Sequence, residues 1–183
     1  ANEYFSSLPE GFAPAEELRA ALTADVQKVQ FVGVAGTAGK TAAAGLLAAI
    51  LREAAFHVGF YRAGCEPLSA RIAIGGVSVD PVLLCQAAEA LNAAKPLPRE
   101  AAELAAAARC FGAAGCKLAV VELPDAGLAS ALPNMPVCAV TAIGPDGVSR
   151  SVERLAALAA GVMRKDAVCV TAPEQPKAVL SEL

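Results

Sequence analysis

The sequence predicts an α/β domain, a mainly parallel sheet flanked by helices on both faces, with one small β-hairpin at its side. Three observations predict it. Short apolar runs of β type recur along the chain, at 29–34, 57–61, 117–123, 137–143 and 167–171. Helical patterns separate them, and that alternation builds parallel sheets through right-handed crossovers. A glycine-rich turn joins the first of these runs directly to an alanine- and leucine-rich helix, in the stretch F-V-G-V-A-G-T-A-G-K-T-A-A-A-G-L-L-A-A-I from Phe31 to Ile50.

Composition bounds the rest. A chain of 183 residues fits one domain, 1–183. Hydrophobic residues make up 56%, much of it alanine, so helices are well supplied. Aromatics are only 4%, and Trp is absent, so the core must rest on Leu, Val, Ile and Ala. A net charge of -3 gives no electrostatic case for nucleic acid or an anionic membrane. The six cysteines form no C-x-x-C pair and only one His is present, which argues against zinc. Free cysteines inside apolar runs fit a reducing, cytoplasmic setting. The opening A-N-E-Y-F-S-S-L-P lacks the basic start and apolar run of a signal peptide.

In chain order, 2–14 carries Pro9 and Pro14 and is expected to pack irregularly. Leu18 and Leu22, four apart among charged residues, predict a short amphipathic helix over 15–24. The first strand and its glycine turn follow. The helix after them spans 41–55, with Leu46, Leu47, Ile50 and Leu51 expected on its buried side. His57–Tyr61 reads as a strand, and 62–70 as a loop. R-I-A-I-G-G-V-S-V-D, 71–80, alternates on both sides of Gly75-Gly76, the signature of a hairpin. Asp80-Pro81 starts a helix to about Ala93, with Asp80 as N-cap and proline in the first turn. A second helix covers 100–113, with Gly115 as its stop. K-L-A-V-V-E-L reads as a buried parallel strand that delivers Glu122 to its C-terminal end, where open α/β sheets place ligands. After a loop at 124–136 come the strand at 137–143, a helix at 152–163, the last strand and a final helix at 175–183.

The chemistry concentrates at the glycine turn. Strand, glycine loop, Gly39-Lys40-Thr41 and helix are the arrangement of a phosphate-binding loop. Gly33, Gly36 and Gly39 allow tight turning, so that successive amides, through Thr37 and Ala38, can point at one anion. The helix start adds its positive dipole end. Lys40 adds a full charge, and the Thr41 hydroxyl is placed to ligate Mg²⁺. The strict pattern asks for glycine at position 34, where this chain has Val34. The plain alternative is a glycine turn with a solvated lysine. Glu122 is the candidate metal-binding carboxylate. Asp146, in G-P-D-G, better fits a turn. Arg71 is as well explained by surface solvation, His57 reads as a bystander, and Cys65 has no base near it in sequence.

These residues resemble a family. Gly33 to Thr41 is similar to the G-x-x-G-T-N-G-K-[TG] loop of Mur ligases and folylpolyglutamate synthases. Further segments resemble those synthases in the same order: Y-F-S-S-L-P at 4–9, V-G-F-Y at 58–61, A-R-I-A-I-G-G-V-S-V at 70–79, K-L-A-V-V-E-L at 117–123, V-C-A-V-T-A-I-G-P-D at 137–146, L-A-A-L-A-A-G-V-M-R at 155–164 and V-C-V-T-A-P at 168–173. The resemblance implies the P-loop NTPase-like central domain of that family. It implies ATP and Mg²⁺ as cofactors, an acyl phosphate formed on a folate-like or other carboxylate substrate, and attack by an amino acid such as glutamate. Carried over by position, Lys40 and the amides of Gly36, Thr37, Ala38, Gly39 and Thr41 would hold phosphates. Thr41 and Glu122 would serve the metal.

The departures from the family pattern are specific. The loop Asn is Ala38. The S-P-H-L segment is replaced around Ala63, Gly64 and Cys65. The glycine-rich segment after the glutamate is reduced to Pro124-Asp125-Ala126-Gly127. The metal-ligand His is Gly147, and the carbamylated Lys aligns with Ala159. The chain stops at Leu183, where the family's ATPase domain ends, and the C-terminal ligase domain is expected to be absent. Three readings stay open: the ATPase domain of an amide-forming ligase, a non-catalytic descendant acting as a nucleotide-binding or partner-binding scaffold, and an unrelated small P-loop kinase or NTPase, which would need its own base and an arginine finger such as Arg62 or Arg71. The sequence leaves open whether a second copy or another chain joins it.

Overall fold

The structure is a computed structural model and describes residues 1–11, 13–123, 126–145 and 151–183. The elements follow in chain order as α1 (Asn2–Ser7), α2 (Ala15–Ala20), β1 (Gln30–Ala35), α3 (Lys40–Glu53), β2 (Val58–Tyr61), α4 (Leu68–Arg71), β3 (Ile72–Ile74), β4 (Val77–Ser78), α5 (Pro81–Asn92), α6 (Arg99–Ala113), β5 (Leu118–Glu122), β6 (Val137–Val140), α7 (Val152–Ala160), β7 (Val168–Thr171) and α8 (Lys177–Glu182). Two 3₁₀ segments, Ala24–Lys28 and Ala126–Ala131, complete them.

The described residues form a seven-stranded sheet in the order β4-β3-β2-β5-β1-β6-β7. All pairs from β2 through β7 are parallel, and β3 and β4 add the antiparallel hairpin at one edge. The α/β class, the parallel sheet and the side hairpin are as the sequence predicts. Gly75 and Gly76 take φ of 60° and 85°, the paired left-handed conformation that a two-residue hairpin turn needs.

Strand periodicity divides the core. Val32 and Val34 of β1 face α3, together with Ala44, Val58 and Val120. Phe31 and Ala35 face the other side, where α5, α6 and α7 pack. Helix α6 is buried along almost its whole length, from Ala101 to Ala108. Its alanines let it lie close to α1, α2, α5, β2 and the first 3₁₀ segment. β1 lies between β5 and β6, and its C-terminal end is the point from which the chain leaves toward opposite sides of the sheet. Crevices of this kind take ligands in open α/β sheets.

Three expectations need correction. Residues 2–7 are helical, because Phe5 is buried and α1 packs on α4 and α6. On α3 the buried stripe is Ala44 with Leu47 and Leu51, whereas Leu46 and Ile50 are exposed. The helix carries two apolar stripes, and the alanines at 43, 44 and 48 decide which one meets the sheet. Gly33 lies within β1 rather than in the loop. A Cβ there would come 2.7 Å from Met135 Sδ, so this glycine serves close packing.

Candidate phosphate-binding site

β1 ends at Ala35, the chain turns through Gly36–Gly39, and α3 begins at Lys40. Gly36 has φ 128° and Gly39 has φ 83°, both in the region that favours glycine. At Gly36 there is a second reason. An added Cβ would sit 2.3 Å from Thr141 Oγ1. Lys40 folds back over the loop, and its Nζ donates to the Gly36 carbonyl at 2.9 Å. No side chain caps the N-terminus of α3. The first amides of a helix lie outside its own ladder, so those at Lys40 and Thr41 could serve as donors for an anion.

Parallel pairing sets Val34 beside Glu122. The Thr41 hydroxyl then reaches the Glu122 carboxylate, donating at 2.9 Å to Oε2 and 3.1 Å to Oε1. Glu122 is only 4% exposed, whereas Thr41 opens to solvent. A buried carboxylate next to a hydroxyl supplies hard oxygen donors at the end of a phosphate loop. That suits Mg²⁺, which takes one or two carboxylates and completes its shell with phosphate and water. Among the described residues no group of three His, Cys, Asp or Glu could hold a metal by itself.

The loop's first half is held from the β6 side. The Thr37 and Ala38 amides both donate to the Ala142 carbonyl at 3.1 Å. The Thr37 hydroxyl donates to the same oxygen at 3.1 Å and accepts from the Gly144 amide at 2.8 Å. Of the six loop residues in the predicted site, Thr37 and Ala38 are therefore held from the β6 side, and the Gly36 carbonyl accepts from Lys40. Gly39, Lys40 and Thr41 form the open mouth. Sequence reasoning missed this contact, because apart from the Thr37 hydroxyl it is made by backbone groups distant in the chain that no side-chain identity encodes.

The other predicted positions fall elsewhere. His57 is exposed at the start of β2, the sheet end opposite the loop. Arg62 pairs with Glu66 at 2.8 Å. Ala159 is buried in α7. Pro124, Asp125, Asp146 and Gly147 lie outside the described residues.

Arg71 also departs from expectation. It is 2% exposed, not solvated. Its Nη2 lies 2.5 Å from Glu103 Oε1, as an ion pair off hydrogen-bond geometry, and Arg99 Nε donates to the same oxygen at 3.1 Å. Arg71 Nε also donates to the Glu66 carbonyl at 2.8 Å. Burial works against the Arg71 charge, but the Glu103 carboxylate together with Tyr61 outweighs it and holds its pKa above the ordinary value. Burial, then the Glu103 carboxylate, push the Tyr61 phenol up. Tyr61, Cys65, Arg71 and Glu103 line a cavity of roughly 330 Å³ at the end of β2. A signal for this cluster was present: Glu103 sits inside the apolar run A-A-E-L-A-A-A-A of α6 and requires a cation when that helix is buried.

No family model matches the sequence, and no curated protein does. Solved structures match it. An E. coli FolC in complex with DHPP and ADP aligns with TM-score 0.82 and 20% identity, over 99% of this chain and 47% of its own. A folylpolyglutamate synthetase from Lactobacillus casei aligns at 0.82 and 21%, over 98% and 47%. The Mycobacterium tuberculosis folylpolyglutamate synthase complexed with ADP aligns at 0.81 and 21%, over 98% and 45%. The chain thus spans about half the length of the structures it matches. Across nearly all of its own length, its fold is that of folylpolyglutamate synthase.

Proposed function

We propose that this chain is a nucleotide-binding α/β domain that takes ATP with Mg²⁺ at the Gly36–Thr41 loop. The arrangement that carries the proposal is the joint placement of Lys40 over the loop and Thr41 on Glu122, at the C-terminal end of β1. The Lys40 charge, now donated to the Gly36 carbonyl, and the α3 amides would hold phosphate. Thr41 and Glu122 would hold Mg²⁺, which when bound neutralises phosphate charge and polarises the phosphoryl group. Two of the solved neighbours are complexes with ADP, which supports the nucleotide.

The reaction class supported by the fold likeness is ATP-dependent ligation of an amino acid such as glutamate to a folate-like or other carboxylate. In this reading residues 1–183 form the ATPase-type domain of such a ligase and do not complete the reaction alone. Ala38, Ala159 and the replaced segment at 63–65 remove side chains that the resembled enzymes use. A non-catalytic scaffold is the second reading. It is favoured by the Thr37 and Ala38 amides, which already have a protein acceptor in Ala142.

Displacement of a fluorescent ATP analogue, beside an assay for ADP release with glutamate and a reduced folate, tests both. Binding without carboxylate-dependent ADP release is expected. ADP release that requires both substrates would contradict the incomplete-ligase reading, and absence of binding would favour the scaffold. No helix among the described residues is long and apolar enough to cross a membrane, so the assay needs no lipid on that account.

A further inference from the structure

We propose that Gln175 is a positioning residue for the phosphate loop, acting through the Thr141–Ile143 turn. Its consequence for ligand affinity rests on the nucleotide reading above; its effect on the loop does not. Gln175 is a buried polar side chain, 8% exposed, from the segment between β7 and α8. Its Oε1 accepts from the Ile143 amide at 3.1 Å, and its Nε2 donates to the Thr141 carbonyl at 2.9 Å. These two groups belong to the peptide units on either side of Ala142. Each peptide unit is planar, so fixing the Ile143 N–H fixes the Ala142 C=O, which points the opposite way in the same plane. Fixing the Thr141 C=O fixes the preceding plane.

The Ala142 carbonyl is the acceptor for the Thr37 amide, the Ala38 amide and the Thr37 hydroxyl. Thr141 adds its own grip at the strand end, with its amide and hydroxyl donating to the Ala35 carbonyl at 2.9 and 3.1 Å. One continuous hydrogen-bonded path therefore runs from Gln175 through two peptide planes to Thr37 and Ala38, immediately before the Gly39–Thr41 mouth. Nothing in this path touches phosphate. Gln175 sets where the mouth stands, by holding the half of the loop that precedes it.

The test uses the whole chain with Gln175→Met, which keeps length and loses both bonds, and Gln175→Glu, which keeps an acceptor for Ile143 and loses the donor to Thr141. Amide hydrogen exchange is read on the free protein at Thr37, Ala38 and across β1 and β5, and Mg-ATP affinity is read beside it. Gln175→Met is expected to speed exchange at Thr37 and Ala38 by about tenfold or more, with β1 and β5 unchanged and Gln175→Glu intermediate. ATP affinity is expected to fall several-fold in the same order. Unchanged exchange at Thr37 and Ala38, or an equal rise throughout the sheet, would overturn the proposal. Faster local exchange with unaltered ATP affinity would overturn positioning of the nucleotide site. Faster local exchange in a chain whose wild type binds no ATP would uphold the loop-holding role and sink the nucleotide reading instead.

Discussion

Thr41 and Glu122 stand 81 positions apart in the chain, yet the Thr41 hydroxyl donates to both carboxylate oxygens of Glu122, at 2.9 and 3.1 Å. Their meeting follows from sheet order. β5 lies directly beside β1, and the loop after β1 carries Thr41 over the end of β5. The contact joins a hydroxyl at the start of α3 to a buried acid, the oxygen donors that the proposed Mg²⁺ would use.

Glu122→Gln keeps an acceptor for Thr41 and removes the charge. We predict that it abolishes the Mg²⁺ dependence of ATP binding and lowers Mg-ATP affinity about tenfold, about 1.4 kcal/mol. Affinity for metal-free ATP should hardly change. Titrations with Mg²⁺ and with EDTA check this, and an equal loss in both would remove the metal role.

The Arg71–Glu103 pair should dominate stability at the end of β2. Removing one partner of a buried ion pair leaves the other charge uncompensated, at a cost of about 3–5 kcal/mol. Arg71→Ala and Glu103→Ala are each predicted to lose that much in urea unfolding. Arg99→Ala, whose side chain is 28% exposed, should lose less than about 1 kcal/mol. Equal effects of Arg71→Ala and Arg99→Ala would contradict the burial argument.

Gly36→Ala should be more damaging than Gly39→Ala. Both glycines carry positive φ, a strain of about 1–2 kcal/mol for an L side chain. Only at Gly36 does the new Cβ also strike Thr141 Oγ1, whereas Gly39 has open space. Thr141→Ala should relieve part of the Gly36→Ala loss and none of the Gly39→Ala loss. Thermal unfolding of the four variants checks the order.

The thiols give a pH prediction. Burial pushes Cys110 up to about 12 and Cys116 up to about 11. A folded pKa above the unfolded value means stability is fully present below the unfolded thiol pKa, about 8.5, and is lost as pH rises through the folded values. Between roughly pH 9 and 11 each of these two thiols should therefore reduce stability by about 1.4 kcal/mol per pH unit. Urea midpoints measured from pH 7 to 11, with Cys110→Ala as control, test it. In native protein at pH 8, a thiol reagent should modify Cys65 and Cys85, which are exposed, and leave Cys110, Cys116 and Cys138 until unfolding.

What was legible in the sequence was local. Asp80 accepts from the Val82 amide at 2.7 Å and precedes Pro81, as its N-cap chemistry requires. Gly36, Gly39, Lys40 and Thr41 carry their geometry in residue type and spacing. What was hidden depends on tertiary partners. α1 has no side-chain cap and is held by the burial of Phe5. All four of Leu46, Leu47, Ile50 and Leu51 were expected to be buried, because both stripes are apolar and only packing on the sheet separates them. Arg71 looks solvated in isolation, since its partner Glu103 lies two helices later. The Ala142 carbonyl that holds Thr37 and Ala38 belongs to a residue with no polar side chain at all.

The most direct measurement is calorimetric titration of ATP with Mg²⁺ into the chain, beside Lys40→Ala. Binding in the micromolar range is expected, weakened by at least about a hundredfold in the variant, about 2.8 kcal/mol. No heat and no thermal shift at millimolar ATP, or equal binding by both proteins, would contradict a working phosphate loop at Gly36–Thr41.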